Sequence, residues 1–198
     1  MSSPDVAAAK RSLRREVLVR RGQRTDAQRA ETAAALAGAF AAEFGPRVRG
    51  GSGVTPDAGA AVRVVAVYLS FATEPATGPL IEWLADQRVR TLAPTLRPDA
   101  DLGWLDVPDG APLGLDAIAD ADVILVPALA VDLRGHRLGR GGGSYDRALT
   151  RVRPEQTVLA VVHDDEVLDA VPSEPHDRMV DGVLTATGVR YFGTATDG

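Results

Sequence analysis

A three-layer α/β/α domain built on a mostly parallel sheet is the fold this sequence predicts, and three observations predict it. Apolar, strand-like runs alternate with helical segments, the order that lays helices on both faces of a parallel sheet. The two clearest runs, "VRVVAVYL" at 62–69 and "DVILVP" at 122–127, are continuously apolar and β-branched, as strands buried on both faces are. Finally, 198 residues, 45% apolar and 25% charged, suit a single globular domain over 1–198.

Taken in order, Val6, Ala9, Leu13 and Val17 recur at helical spacing over 6–21, with Lys10 and Arg14 on another face. Thr25 followed by Gln28 is a capping box for a second, alanine-rich helix that should stop at Gly45-Pro46. These N-terminal helices, within 1–44, are expected to pack on the domain, and the Gly/Pro/Ser-rich 45–60 to form a flexible loop. After the 62–69 strand come a helix over 78–87, in which Trp83 is expected in the core, and a short strand over 89–94. Residues 95–113 hold many prolines and glycines with little periodicity and predict loop. The 122–127 strand leads into a glycine-rich loop and a helix over 144–152. Then follow a strand at 157–162, a short helix near 164–170 and a last strand at 182–187.

Composition removes several classes of function. With no cysteine there is neither a disulfide framework nor a Cys-based zinc site. Charged residues at 10, 11, 14 and 15 interrupt any signal-peptide core, and no run of 18 apolar residues would span a membrane. The expectation is a cytoplasmic protein, monomeric or weakly dimeric, without membrane partners. The net charge of −5 conceals a basic first 50 residues, with ten Lys/Arg against five Asp/Glu. A nucleic-acid module on the first helix is one possibility this raises, but an acidic remainder argues against a general polyanion binder and for a smaller anion.

The segment "VPALAVDLRGHRLGRGGGSYDRAL", 126–149, points to that anion. Between Leu133 and Arg147 it carries five glycines and four arginines with few apolar residues, a composition that builds no core. A strand that enters a glycine-rich loop and then a helix presents backbone N–H groups to an anion, and arginines supply bidentate contacts to phosphate oxygens. A Walker A loop needs a lysine before its Ser/Thr, and here Gly143 precedes Ser144; a GxGxxG fingerprint starting at Gly139 meets Ser144 where its last glycine should be. Glycine content alone leaves phosphate binding and a flexible surface loop both open.

Four motifs in one order favour phosphate binding. "KRSLRREVLVRR", "YLSFATEPAT", "LAVDLRGHRLGRGGGSYDRAL" and "VPSEPHDRMVDGVLT" together resemble the 5-formyltetrahydrofolate cyclo-ligase (5,10-methenyltetrahydrofolate synthetase) family. The resemblance implies an ATP- and Mg²⁺-dependent closure of 5-formyltetrahydrofolate to 5,10-methenyltetrahydrofolate, with ADP and phosphate released. It further implies that Lys10 and Arg14 bind the triphosphate and that Arg137, Leu138, Gly139, Arg140, Gly141, Gly142, Gly143, Ser144 and Tyr145 wrap the nucleotide. Arg140 and Tyr145 would be catalytic. Leu69, Glu74 and the run Arg140 to Ser144 would border the folate, and Asp146 and Asp181 would be the Mg²⁺ ligands.

Each of these residues has a plainer reading. Lys10 and Arg14 also suit a solvated helix face, Glu74 and Asp146 suit helix caps, Asp181 suits a turn, and Tyr145 suits a core. A rival constellation, His163-Asp164-Asp165 with His176, has the spacing of a facial iron triad, but a parallel α/β pattern is a poor host for it. Three departures from the family pattern stand out. Ser144 replaces a tyrosine, Glu166 stands where glutamine is common, and 95–121 is short enough to suggest a related ATP-binding protein with a different or lost substrate. Trp104 is the aromatic residue available there to wall a folate.

Overall fold

The computed structural model describes residues 3–48 and 60–193. Helices α1 (Ser3–Gly22) and α2 (Asp26–Val48) are followed by strand β1 (Val64–Val67), helix α3 (Gly78–Asp86) and strands β2 (Arg90–Leu96), β3 (Leu102–Val107) and β4 (Pro112–Leu113). Strands β5 (Val123–Pro127), β6 (Ala130–Asp132) and β7 (Arg137–Leu138) lead to helix α4 (Ser144–Ala148). Strands β8 (Thr157–Val161), β9 (Val167–Leu168), β10 (Gly182–Thr185) and β11 (Gly188–Tyr191) complete the chain. Eight strands form one sheet in the order β11-β10-β8-β5-β1-β2-β3-β4, and β7-β6-β9 form a small second sheet. The run β10-β8-β5-β1-β2 is parallel, and the antiparallel pairs lie at the two edges. The mostly parallel α/β architecture expected from the sequence is present.

Strand alternation sorts the core into two faces. Val65, Val67, Val123, Leu125, Leu159 and Val161 point to one side, where Leu36, Phe40 and Phe44 of α2 and Leu80 and Leu84 of α3 cover them. Trp83 joins this layer edge-on to Phe40. Ala66, Ile124, Val126, Val158 and Ala160 point to the other, where Ala148, Leu149 and the 3-10 turn over Leu115–Asp120 close the core. The second covering layer is therefore made of short turns and α4, not of long helices. Among the described residues no helix is long and apolar enough to cross a membrane.

Several expected boundaries are corrected. The capping box forms, with the Gln28 N–H donating to Thr25 Oγ1 at 3.2 Å and the Thr25 N–H to Gln28 Oε1 at 2.9 Å. Helix α2, however, runs through Gly45 and Pro46 to Val48, because Phe44 and Val48 are still packing on the sheet. The loop expected at 45–60 thus begins later, and 49–59 lie outside the described residues. The supposed 95–113 loop contains β3 and β4, a hairpin that extends the sheet. Pro94 does not end the strand: β2 pairs with β1 only from Arg90 to Leu92, so Pro94 lies where one side of the strand is already an edge. The expected helix at 164–170 is a single 3-10 turn, Asp164–Glu166, followed by β9. The helix at 144–152 is α4 followed by a 3-10 turn, Leu149–Arg151. The last strand ends at Thr185 and turns back as β11.

The small sheet delivers the glycine-rich loop. Its β6–β7 turn passes through Gly135 at φ +90°, where an added Cβ would lie 2.5 Å from the Val180 carbonyl oxygen. Gly135→Ala should therefore destabilise the protein by about 2–3 kcal/mol, read as a fall in the urea midpoint with unchanged slope.

Candidate functional site

The carboxyl ends of the parallel strands open into a cleft of about 1380 Å³, where ligands of open α/β sheets bind. That exceeds the roughly 300–1,000 Å³ of a pocket for one small ligand. Its floor is Pro127, Ala128 and Leu129 at the end of β5, its roof the loop 137–144, and its far wall Lys10 and Arg14 of α1. Seven Lys/Arg and four Asp/Glu line it, a local excess of positive charge in a chain of net −5. Among the predicted site residues, Lys10, Arg14, Glu74, the whole run Arg137 to Tyr145 and Asp146 are brought together here.

Helix α1 reaches this wall with an unusual stripe. Lys10, Val17 and Arg21 are buried and Arg14 half-buried, at the spacing of one helix face, so its inward face is largely cationic. Val17 packs on Leu129, Ala130 and Leu138 beneath the cleft. The Lys10 ammonium donates to Glu174 Oε2 at 2.8 Å and Asp177 Oδ2 at 2.6 Å. Burial acts against its charge, yet hydrogen bonds and attraction from Asp177 and Glu174 outweigh it and hold the Lys10 pKa above the ordinary lysine value. Arg14 Nε donates to the Gly139 carbonyl at 2.8 Å, tying α1 to the loop.

Two loop glycines have conformations that other residues rarely adopt. Gly141 has φ +103° with the Arg14 guanidinium against the space a Cβ would fill, and Gly143 has φ +67° at the start of α4. Arg140 Nε donates to Glu74 Oε1 at 2.9 Å, and Glu74 Oε2 accepts the Phe71 N–H at 2.9 Å. Two residues assigned to the reaction from separate motifs thus meet directly. Arg137 is buried and donates through Nη2 to Asp146 Oδ1 at 2.6 Å; the same oxygen accepts the Arg178 N–H at 3.1 Å. The Tyr145 ring packs against both faces of the core, while its hydroxyl is enclosed and has no protein partner. Burial, with Glu74 adding to it, raises the Tyr145 pKa and keeps the phenol protonated. An orphaned hydroxyl on a residue lining a cleft is a group awaiting a ligand or water.

Three of the expected residues are not brought to the cleft. Asp181 does not line the cleft: its carboxylate accepts the Val158 N–H at 2.7 Å near the start of β8, so it is not paired with Asp146 around one cation. Leu69 is exposed beyond the end of β1 and is not a lining residue. Trp104 is 1% exposed inside the core and cannot wall a ligand; Leu96 and Leu102 of the β2–β3 hairpin line the cleft instead. The rival iron triad is not assembled either. Asp164 accepts from Thr187, Asp165 from Arg24, and His176 is exposed. Among the described residues no cluster of three His, Asp or Glu side chains could hold a metal. A Mg²⁺ ion taken up with a nucleotide needs only one or two carboxylates, the rest being phosphate and water, and Asp146 fits that requirement. Missed from the sequence were Glu174, Asp177, Arg178 and Met179 on the cleft wall, although "SEPHDRM" lay inside a motif already singled out.

Comparison with known proteins shows the family and the fold. The model of the 5-formyltetrahydrofolate cyclo-ligase family matches residues 57–186. The chain belongs to that family. A 5-formyltetrahydrofolate cyclo-ligase of Mycolicibacterium smegmatis is 42% identical over 142 residues, 62% of this chain and 73% of the relative. One of Escherichia coli K12 is 34% identical over 148 residues, 63% and 79% of the two chains. The 5,10-methenyltetrahydrofolate synthetase of Aquifex aeolicus superposes with a TM-score of 0.73 at 23% identity, covering 96% of each chain. That of Mycoplasma pneumoniae superposes with a TM-score of 0.73 at 18% identity, covering 89% of this chain and 98% of that one. These two share the fold. The family match begins after α1, so the cationic helix face is an observation independent of it.

Proposed function

We propose that this protein closes 5-formyltetrahydrofolate to 5,10-methenyltetrahydrofolate at the expense of Mg-ATP, releasing ADP and phosphate. Besides family membership, the observation that carries this reading is the cleft itself: large enough for two ligands, positively charged around a glycine loop, and bordered by Glu74 and apolar side chains. An N-formyl group is an amide, with a poorly electrophilic carbon and an oxygen that does not leave. Transfer of the γ-phosphoryl group to the formyl oxygen corrects both faults; N10 attacks the carbon and loses its proton, and the C–O bond breaks to release phosphate. The protein's task is to align the two ligands and neutralise charge in transfer. Arg14, Arg137 and Arg140 would engage the phosphates, Lys10 would exchange a carboxylate partner for one of them, and Asp146 would hold the Mg²⁺. Glu74 would accept hydrogen bonds from pterin N–H groups and orient Arg140.

The test is to mix the purified protein with 5-formyltetrahydrofolate and Mg-ATP and follow the near-ultraviolet absorbance of the conjugated methenyl product. No absorbance at high protein concentration, with intact substrate, would overturn the reading. In the same assay Asp146→Ala should lower turnover by about 10²-fold or more, the scale on which one preorganised charged contact is felt. It should also raise the Mg²⁺ concentration needed for half-maximal rate. Unchanged turnover and Mg²⁺ dependence would remove Asp146 from the metal site.

A further inference from the structure

The β2–β3 hairpin occupies the region where the chain is short, and its tip is held from outside the sheet. Beyond Leu92, β2 pairs only with β3, and Leu96 lies opposite Leu102 at the hairpin's end, both lining the cleft. Two arginines one helical turn apart grip the intervening turn. Arg151 forks onto the buried Asp101 side chain, Nη1 to Oδ1 at 3.1 Å and Nη2 to Oδ2 at 2.6 Å, while Asp101 Oδ1 also accepts the Leu102 N–H at 2.8 Å. Arg147 Nη2 donates both to the Ala100 carbonyl and, at 3.0 Å, to the Gly142 carbonyl of the glycine loop. Ala100 itself stands at φ +61°, a conformation a non-glycine residue keeps only where its surroundings impose it. Arg151 also holds Asp101 ionised: its hydrogen bond lowers the Asp101 pKa against a smaller opposing effect of burial.

We propose that Asp101 and Arg151, neither of which lines the cleft, are positioning residues that lock the hairpin to the glycine loop and so fix Leu96 and Leu102 as the apolar wall against the second substrate. Through α4 the wall, the loop, Tyr145 and Asp146 become one rigid unit. A bidentate arginine–carboxylate pair suits this task because it fixes orientation as well as distance. The substrate assignment rests on the cyclo-ligase reading above; the mechanical coupling does not.

Hydrogen exchange on the ligand-free protein tests the coupling without any ligand. In Asp101→Asn and in the milder Arg151→Lys, which keeps the charge but loses the fork, amide exchange should rise about tenfold in both 97–103 and 139–147. A rise confined to the hairpin, or none, would overturn the proposal. In turnover assays the same variants should raise KM for 5-formyltetrahydrofolate about tenfold, a larger change than in KM for ATP. A lowered melting temperature with both KM values unchanged would make the pair merely structural and also overturn it. Absence of ring closure in the unaltered protein would remove the cyclo-ligase reading, and the exchange result would still decide the coupling.

Discussion

Arg21→Met should destabilise the protein by about 3–5 kcal/mol, the largest stability effect expected of any single side chain in α1, because it leaves a buried carboxylate without its counter-ion. The Arg21 guanidinium donates to Glu166 Oε1 at 2.7 Å and Oε2 at 2.6 Å, and also to the Ala128 carbonyl at 2.7 Å. Neither side chain is more than 1% exposed, so water cannot substitute for either partner. Glu166 Oε2 also accepts the His163 N–H at 2.9 Å, so one ion pair joins α1, the cleft floor at Ala128 and the end of β8. Against a total stability of roughly 5–15 kcal/mol this is a large share, and it should lower the melting temperature by roughly 10 °C. Glu166→Gln keeps the shape and one acceptor and should cost less. The double variant Arg21→Met/Glu166→Leu should recover much of the loss, since an apolar pair carries no desolvation penalty. Denaturation of the wild type, both single variants and the double variant measures the coupling directly. An Arg21→Met protein within about 1 kcal/mol of wild type would show that Glu166 is satisfied without Arg21.

That ion pair also shows where the sequence was legible and where it was not. The continuous β-branched runs at 62–69 and 122–127 gave the sheet, because a strand buried on both faces has to be apolar throughout. The Thr25–Gln28 box gave the start of α2, because capping is local chemistry. Helix α1 has apolar residues at helical spacing, yet its inward face carries Lys10, Arg14, Val17 and Arg21. Hydrophobic periodicity cannot see a stripe whose buried members are charged and paired with acids more than 140 positions away. The β2–β3 hairpin is hidden for a different reason: its proline is tolerated because pairing with β1 ends opposite Leu92, which no local window contains. In the site, the glycine loop was legible as a contiguous motif. Glu174 and Asp177 were not, because their role depends on a lysine at the other end of the chain.

Arg140 should show the largest effect on catalysis with almost none on stability. Its side chain is 45% exposed and pairs with Glu74, a contact of the surface class that contributes at most about 1 kcal/mol, so Arg140→Ala should melt close to wild type. It nevertheless stands where the glycine loop meets the tail of β1, between the groups proposed for phosphate and those proposed for folate. An arginine that neutralises a phosphoryl group in transfer is worth about 10³-fold or more in kcat, so Arg140→Ala should lower kcat and kcat/KM together on that scale. Arg140→Lys restores the charge but not the planar fork and should recover only part of the rate. Glu74→Gln separates the two functions of the pair: it keeps a hydrogen-bond acceptor for Arg140 and removes the charge that competes with phosphate for it. Measuring kcat and both KM values by the appearance of the methenyl chromophore distinguishes the cases. If Arg140→Ala raises KM for ATP and leaves kcat unchanged, the residue binds ground-state nucleotide only, and neutralising the phosphoryl group in transfer would fall to the other groups proposed for it, Arg14, Arg137 and a Mg²⁺ at Asp146.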